Sequence, residues 1–183
     1  QAPGMLPVNL HDLDCDAYAA SAHKWMMAPK GTGLLYIHHR ARKQIQPLLL
    51  HSGPAAYTVA TGTRDVPAII GLGTALNFLK IIGAGTIERY AMQLRQRLYR
   101  GLQAIDHVRV VSPAPGPLAS PMLSFSLRDF QPNAVTEALQ KKSNIVIKVA
   151  SSPGFHGLRI SPHLYNTSRE IDLLLAQLKE IVN

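Results

Sequence analysis

Ala17-Tyr18-Ala19-Ala20-Ser21-Ala22-His23-Lys24-Trp25 is the stretch on which the fold turns. Residues 17 to 22 form a short apolar run, bounded by Asp14 and Asp16 before it and by His23-Lys24 after it. This pattern predicts a buried strand whose C-terminal end releases polar side chains. Beyond it, Leu34-Leu35-Tyr36-Ile37 follows Gly31-Thr32-Gly33 and predicts a second buried strand. The two can pair through the short connection that holds Pro29 and Gly31.

The reading extends outward in both directions. Arg40 to Gln46 predicts a short helix that stops before Pro47, and residues 48 to 64 read as loop. Asp65 opens a helical pattern in which Ile69, Leu72, Leu76 and Leu79 mark one buried face. Gly83-Ala84-Gly85 breaks it, and Thr86 can cap the next helix, where Ile87, Tyr90, Leu94, Leu98 and Leu102 repeat the pattern. Strands are expected at His107–Val111, Met122–Leu127, Ile145–Val149 and Leu158–Ser161. Pro132 suits the first turn of a helix ending near Lys142. Thr167-Ser168-Arg169-Glu170 is a capping box before Ile171, Leu174, Leu178 and Ile181. The mixture indicates an α/β or α+β architecture, with residues 1–83 and 84–183 as its two domains.

Composition narrows the function classes. In 183 residues, 19 Lys+Arg stand against 11 Asp+Glu, a net charge of +8 with His neutral. The 46% apolar content supplies a core and argues against intrinsic disorder. No apolar run approaches the roughly 20 residues of a membrane span. The basic residues are scattered, and Arg40, Arg42 and Lys43 have no interleaved aromatics, so nucleic acid is not the expected partner. A single cysteine excludes an internal disulfide framework.

The candidate chemistry sits where the first strand ends. An amine held beside an apolar wall can condense with a carbonyl, including the aldehyde of pyridoxal phosphate. Ser21 and His23 offer donors to a phosphate within the same few residues. The plain alternative is a solvated lysine after a strand. Trp25 reads as a core anchor for the strand end. His38, His39, His156 and His163 lack metal-ligand spacing, so no metal site is expected. Cys15 reads as a small buried hydrophobe.

Four segments together carry a resemblance. Ser21-Ala22-His23-Lys24-Trp25 with Ala28-Pro29-Lys30-Gly31-Thr32-Gly33-Leu34-Leu35-Tyr36, the opening Ala2-Pro3-Gly4-Met5-Leu6-Pro7, Gly62-Thr63-Arg64-Asp65, and Gly157-Leu158-Arg159-Ile160-Ser161-Pro162-His163-Leu164-Tyr165-Asn166-Thr167 occur in this order. Together they resemble the class V aminotransferase family of pyridoxal-phosphate enzymes, in its isopenicillin N epimerase-like branch. The resemblance runs nearly the whole length of the chain. It implies the C-terminal part of a fold type I, aspartate aminotransferase-like enzyme: the end of the large parallel or mixed-sheet domain, then the small α+β domain.

The resemblance implies roles residue by residue. Lys24 would hold the cofactor as a Schiff base and shuttle the proton at the substrate's Cα. Ser21 and His23 would bind the cofactor phosphate. Thr63 would reach the phosphate of the neighbouring subunit's cofactor in a homodimer with shared sites, or would simply end a turn. Arg159 would clamp the carboxylate of an amino-acid substrate with its planar fork, or would pair with a surface carboxylate. Epimerase and aminotransferase chemistry both fit, as does C–S cleavage; a catalytically incomplete fragment serving only to bind or dimerise is the alternative. The expected location is cytoplasmic.

Two departures from the family pattern bear on these roles. The family's aspartate for the cofactor ring nitrogen falls just before the position of Gln1, and its stacking aromatic falls further upstream. The expectation is therefore a site completed by an N-terminal half of the same enzyme. Related cysteine desulfurases carry a nucleophilic cysteine shortly before the substrate-binding arginine. Here that stretch is Ala150-Ser151-Ser152-Pro153-Gly154-Phe155-His156, so desulfuration by a persulfide route is not expected.

Overall fold

A computed structural model describes residues 1–45 and 65–182. The expected loop at 48–64, the end of the helix at Gln46, and Thr63 lie outside the described residues. The chain divides into two compact units, Gln1–Thr86 and Ile87–Asn183.

In the first unit, helix α1 (Leu10–Leu13) leads into strand β1 (Ala17–Ser21), which pairs antiparallel with β2 (Gly33–Ile37) from Ala17↔Ile37 to Ser21↔Gly33. The pairing through a short connection is as the sequence predicts. The expected burial is not found among the described residues. Ala17 and Ala19 are exposed, and Leu34 and Leu35 retain 42% and 56% of their accessible surface. The reason is that this sheet has only these two strands among the described residues, so neither face is covered as a central strand's would be. The far end of the hairpin is latched by Arg40, whose Nε donates to Asp16 Oδ1 at 2.8 Å, Nη1 to Asp14 Oδ1 at 2.5 Å and Nη2 to the Asp14 carbonyl at 2.7 Å. Instead of a helix to Gln46, this segment forms a 3₁₀ turn, His39–Ala41.

Helix α2 (Val66–Ile82) starts where expected, with Asp65 accepting from Ala68 N–H. Of its predicted buried face only Leu79 is buried; Ile69 and Leu76 stay 49% and 37% exposed. The helix is apolar nearly all round, so periodicity could not single out one face. It closes onto the hairpin through Gly71: a Cβ there would meet Pro29 Cγ at 2.6 Å. The break falls on Gly83 alone, at φ +88°, and α3 (Ala84–Gln103) begins before Thr86, which is therefore not its cap.

The second unit is a two-layer α+β fold. Strands β3 (Val108–Val110), β4 (Leu123–Leu127), β5 (Lys148–Ser152) and β6 (Phe155–Ile160) form an antiparallel sheet in the order β3-β4-β6-β5. β5 lies three residues later than expected and β6 starts three earlier, because Ser152↔Phe155 pair across the turn at Pro153-Gly154. Leu123, Phe125, Leu158 and Ile160 alternate onto one face and form a core with Leu94, Leu98 and Leu102 of α3, Val135 and Leu139 of α4 (Pro132–Ser143), and Ile171, Leu174 and Leu178 of α5 (Ser168–Val182). The alternation leaves Arg109, Ser124, Ser126, Lys148 and Arg159 on the other face. Arg97 joins Asp172 and Lys142 joins Glu180 across the helices. Among the described residues, no single helix is long and apolar enough to cross a membrane.

The capping box is present. Thr167 N–H donates to Glu170 Oε2 at 2.6 Å, and Glu170 N–H donates to Thr167 Oγ1 at 3.3 Å. These hydrogen bonds hold the Glu170 carboxyl below its ordinary pKa. A carboxylate so lowered stabilises the fold above its unfolded pKa, and that contribution fades as pH falls through the folded value. Glu170→Gln should therefore flatten the acid side of a melting-temperature profile, while leaving the share owed to Asp172, which Arg97 lowers likewise. An unchanged profile would remove this assignment.

A close backbone contact fixes the turn after β1. Gly4, at φ +85°, lies so near it that a Cβ would sit 2.4 Å from the Trp25 carbonyl oxygen and 2.7 Å from Met26 N. Gly4→Ala adds left-handed strain to that clash and should destabilise the protein by about 1–3 kcal/mol or more. Trp25 is the only tryptophan, so denaturation followed by its fluorescence reads both the loss and a shifted native spectrum.

Candidate functional site

The turn Ala22–Met27 that follows β1 is held by backbone hydrogen bonds. Ala22 N–H donates to the Thr32 carbonyl at 3.0 Å, Ala28 N–H to the Ala22 carbonyl at 3.1 Å, and Met27 N–H to the Lys24 carbonyl at 3.1 Å. Met27 takes φ +55° to close it. Ala22, Trp25 and Met26 are buried at 0%, 5% and 3% exposure, while His23 and Lys24 between them are exposed. The apolar residues thus anchor the backbone and the two basic side chains project outward. Ser21, half-buried, closes the strand immediately before them.

These residues fit a carbonyl cofactor that bears a phosphate. An exposed amine on a fixed turn can reach an aldehyde, and a hydroxyl and an imidazole within three residues of it can donate to phosphate oxygens. The close contact of Gly4 with the Trp25–Met26 backbone and the buried Trp25 side chain give the amine a rigid base. His23 and Lys24 thus share one turn, with Ser21 closing the strand directly before it; Thr63 lies outside the described residues.

Arg159 belongs to the second unit. It lies on β6 directly between Ser124 of β4 and Lys148 of β5, on the face turned away from the core. Its Nε is buried and has no hydrogen-bond partner among the described residues. A buried guanidinium nitrogen without an acceptor is uncommon, and an incoming carboxylate would satisfy it. The next loop is fixed by His163 N–H donating to Asn166 Oδ1 at 2.9 Å and by Tyr90 Oη–H donating to the Asn166 carbonyl at 2.7 Å. Trp25 is buried, as an anchor should be, and Cys15 is half-buried. Among the described residues, no group of three or more His, Cys, Asp or Glu side chains could hold a metal ion.

Two contributors escaped the sequence reading. Gly4 carried a Pro-Gly turn signal but nothing to say what it touches. Lys148 interrupts Ile145-Val146-Ile147 and Val149, and strand alternation alone could have placed it on the face of Arg159.

A family model described as Aminotransferase class-V matches residues 1–174. The chain is 30% identical over 207 residues to isopenicillin N epimerase of Amycolatopsis lactamdurans, covering 99% of this chain and 50% of that protein. It is 26% identical over 208 residues to a probable cysteine desulfurase of Methanothermobacter thermautotrophicus, covering 99% and 51%. Its fold is similar to an apo cysteine desulfurase from Thermococcus onnurineus, with a TM-score of 0.90 at 27% identity over 100% of this chain and 50% of that one. It is also similar to the cystine C–S lyase C-DES, with a TM-score of 0.85 at 26% identity over 98% and 50%. The chain spans about half the length of the curated relatives it matches. With four motifs in order, a fixed amine at the end of β1 and a match over residues 1–174, the chain belongs to the class V aminotransferase family, whose cofactor is pyridoxal phosphate.

Proposed function

We propose that the protein acts at the α-carbon of an amino acid with pyridoxal phosphate carried on Lys24, in epimerase- or aminotransferase-type chemistry. The observation that carries this reading is the Lys24 amine, exposed on a hydrogen-bonded turn directly after Ser21 and His23. When bound, the cofactor supplies an electron sink that makes the substrate Cα–H acidic. Lys24 Nζ takes the Cα proton and returns it. The carbon and face to which the proton returns separate an epimerase from an aminotransferase. Ser21 Oγ–H and His23 N–H bind the phosphate, and Arg159 holds the substrate carboxylate through parallel N–H donors. Thr63 serves the neighbouring subunit's phosphate in a homodimer, the N-terminal half of the enzyme completes the site, and the location is cytoplasmic.

A second reading is C–S cleavage without a protein persulfide. It is favoured by the likeness to the cystine C–S lyase C-DES, and the β5–β6 turn, closed at Ser152↔Phe155 by Pro153-Gly154, carries no thiol for a protein persulfide.

The test uses the full-length protein saturated with pyridoxal phosphate and reduced with borohydride. Mass spectrometry should find the cofactor on the Lys24 peptide, and Lys24→Ala should lose both label and activity. A label on another residue, or on none, overturns the proposal. Hydrogen exchange at Cα, keto-acid formation and sulfide release then tell the three reactions apart.

A further inference from the structure

The second unit contains a cavity of about 750 Å³ whose lining includes Lys148, Arg159 and Glu170. That volume lies within the range of small-molecule sites. Two cations line it, Arg159 and Lys148, and the register makes them direct cross-strand partners. At such positions Cβ atoms lie about 5 Å apart, side chains share a face, and like charges repel. Neither cation forms an ion pair with a carboxylate among the described residues. Glu170 also lines the cavity, but its Oε2 is engaged by Thr167 N–H and Oγ1. Arg159 Nε is buried without an acceptor among the described residues. The cavity lining therefore carries two cations against one carboxylate, and one of the cations holds an unfilled buried donor, an arrangement that an anion relieves and a neutral ligand does not.

We propose that Lys148 is a specificity-determining residue and that the substrate is an amino acid whose side chain carries a second carboxylate. This rests on the α-carbon reading above: Arg159 takes the α-carboxylate and Lys148 takes the side-chain acid. A neutral side chain leaves the Lys148–Arg159 repulsion uncompensated.

Binding separates this clamp from the chemistry. Calorimetry on the full-length protein without cofactor compares glutarate with butyrate. Glutarate should bind about tenfold tighter, the worth of one charge-assisted hydrogen bond. Lys148→Met should remove the preference and Lys148→Arg should restore it, with melting curves showing that each variant folds. Glutarate binding no tighter than butyrate, or a preference that survives in Lys148→Met, overturns the proposal. Inorganic phosphate displacing glutarate at equal concentration also overturns it, because a simple anion site would then suffice. In the loaded protein, a lower KM for L-glutamate than for L-glutamine that vanishes in Lys148→Met supports it. Failure of borohydride to label Lys24 strikes the α-carbon reading alone and leaves the glutarate comparison to judge the clamp.

Discussion

The contact of Gly4 against the Trp25–Met26 backbone is the constraint on which the candidate chemistry depends. A reactive amine contributes little if its backbone wanders, since a productive geometry tolerates only small displacements. Lysine itself is long and flexible, so the rigidity must come from the turn. Here it comes from three sources. Buried Trp25 and Met26 fix one side of the turn, three backbone hydrogen bonds hold it, and Gly4 of an N-terminal turn, without a Cβ, presses on it. That turn is itself tight: Met5 and Leu6 N–H both donate to the Ala2 carbonyl. Gly71 does the same service for Pro29 on the α2 side.

The second unit solves a different problem with the alternation of its strands. Placing Leu123, Phe125, Leu158 and Ile160 on one face ties the sheet to three helices, and dispersion and apolar burial make that layer the unit's main source of stability. The residues between them are then forced onto the opposite face without having to be selected for packing. Arg159 is one of these. Its position is set by the core residues on either side of it, Leu158 and Ile160. Gly157 sharpens the placement, because a Cβ there would meet the Phe125 carbonyl oxygen at 2.4 Å, so β6 can lie close against β4 only with glycine at this point.

What could be read from the sequence follows this division. Helices α3 and α5 carry strong amphipathic periodicity, and their buried residues Ile87, Leu94, Leu98, Leu102, Ile171, Leu174 and Leu178 were predictable one by one. The capping box at Thr167 was equally clear, since its logic is local. Helix α2 was legible as a helix but not in its facing, because a nearly uniform apolar surface has no preferred side. The burial of β1 and β2 was misjudged for a related reason: an apolar run reports a capacity to be covered, and covering depends on neighbours that the run does not specify. Ser21, His23 and Lys24 were visible as a motif. The glycine that supports them was not, because a close approach between residues twenty-one positions apart leaves no periodic trace. The shifted bounds of β5 come from turn chemistry: Pro153-Gly154 closes a hairpin at Ser152↔Phe155, which the apolar run Ile145–Val149 does not signal.

Sulfur is where the relatives divide. Desulfuration through a protein persulfide needs a thiol that can meet the substrate. In this chain β5 and β6 are joined as tightly as two strands can be, with Ser152 paired to Phe155 and no cysteine between them. The available thiol, Cys15, precedes β1, whereas Lys24 follows it. The five residues of β1, Ala17–Ser21, span about 16 Å, and the Arg40 contacts to Asp14 and Asp16 hold that end of the strand in place. A cysteine pinned at the opposite end of a strand from the amine cannot serve as its partner nucleophile without dismantling the hairpin. The groups this chain does present close together are a hydroxyl at the end of β1 and an imidazole and an amine on the turn after it. Similarity to desulfurases in fold therefore speaks to the scaffold and does not by itself choose among the family's reactions.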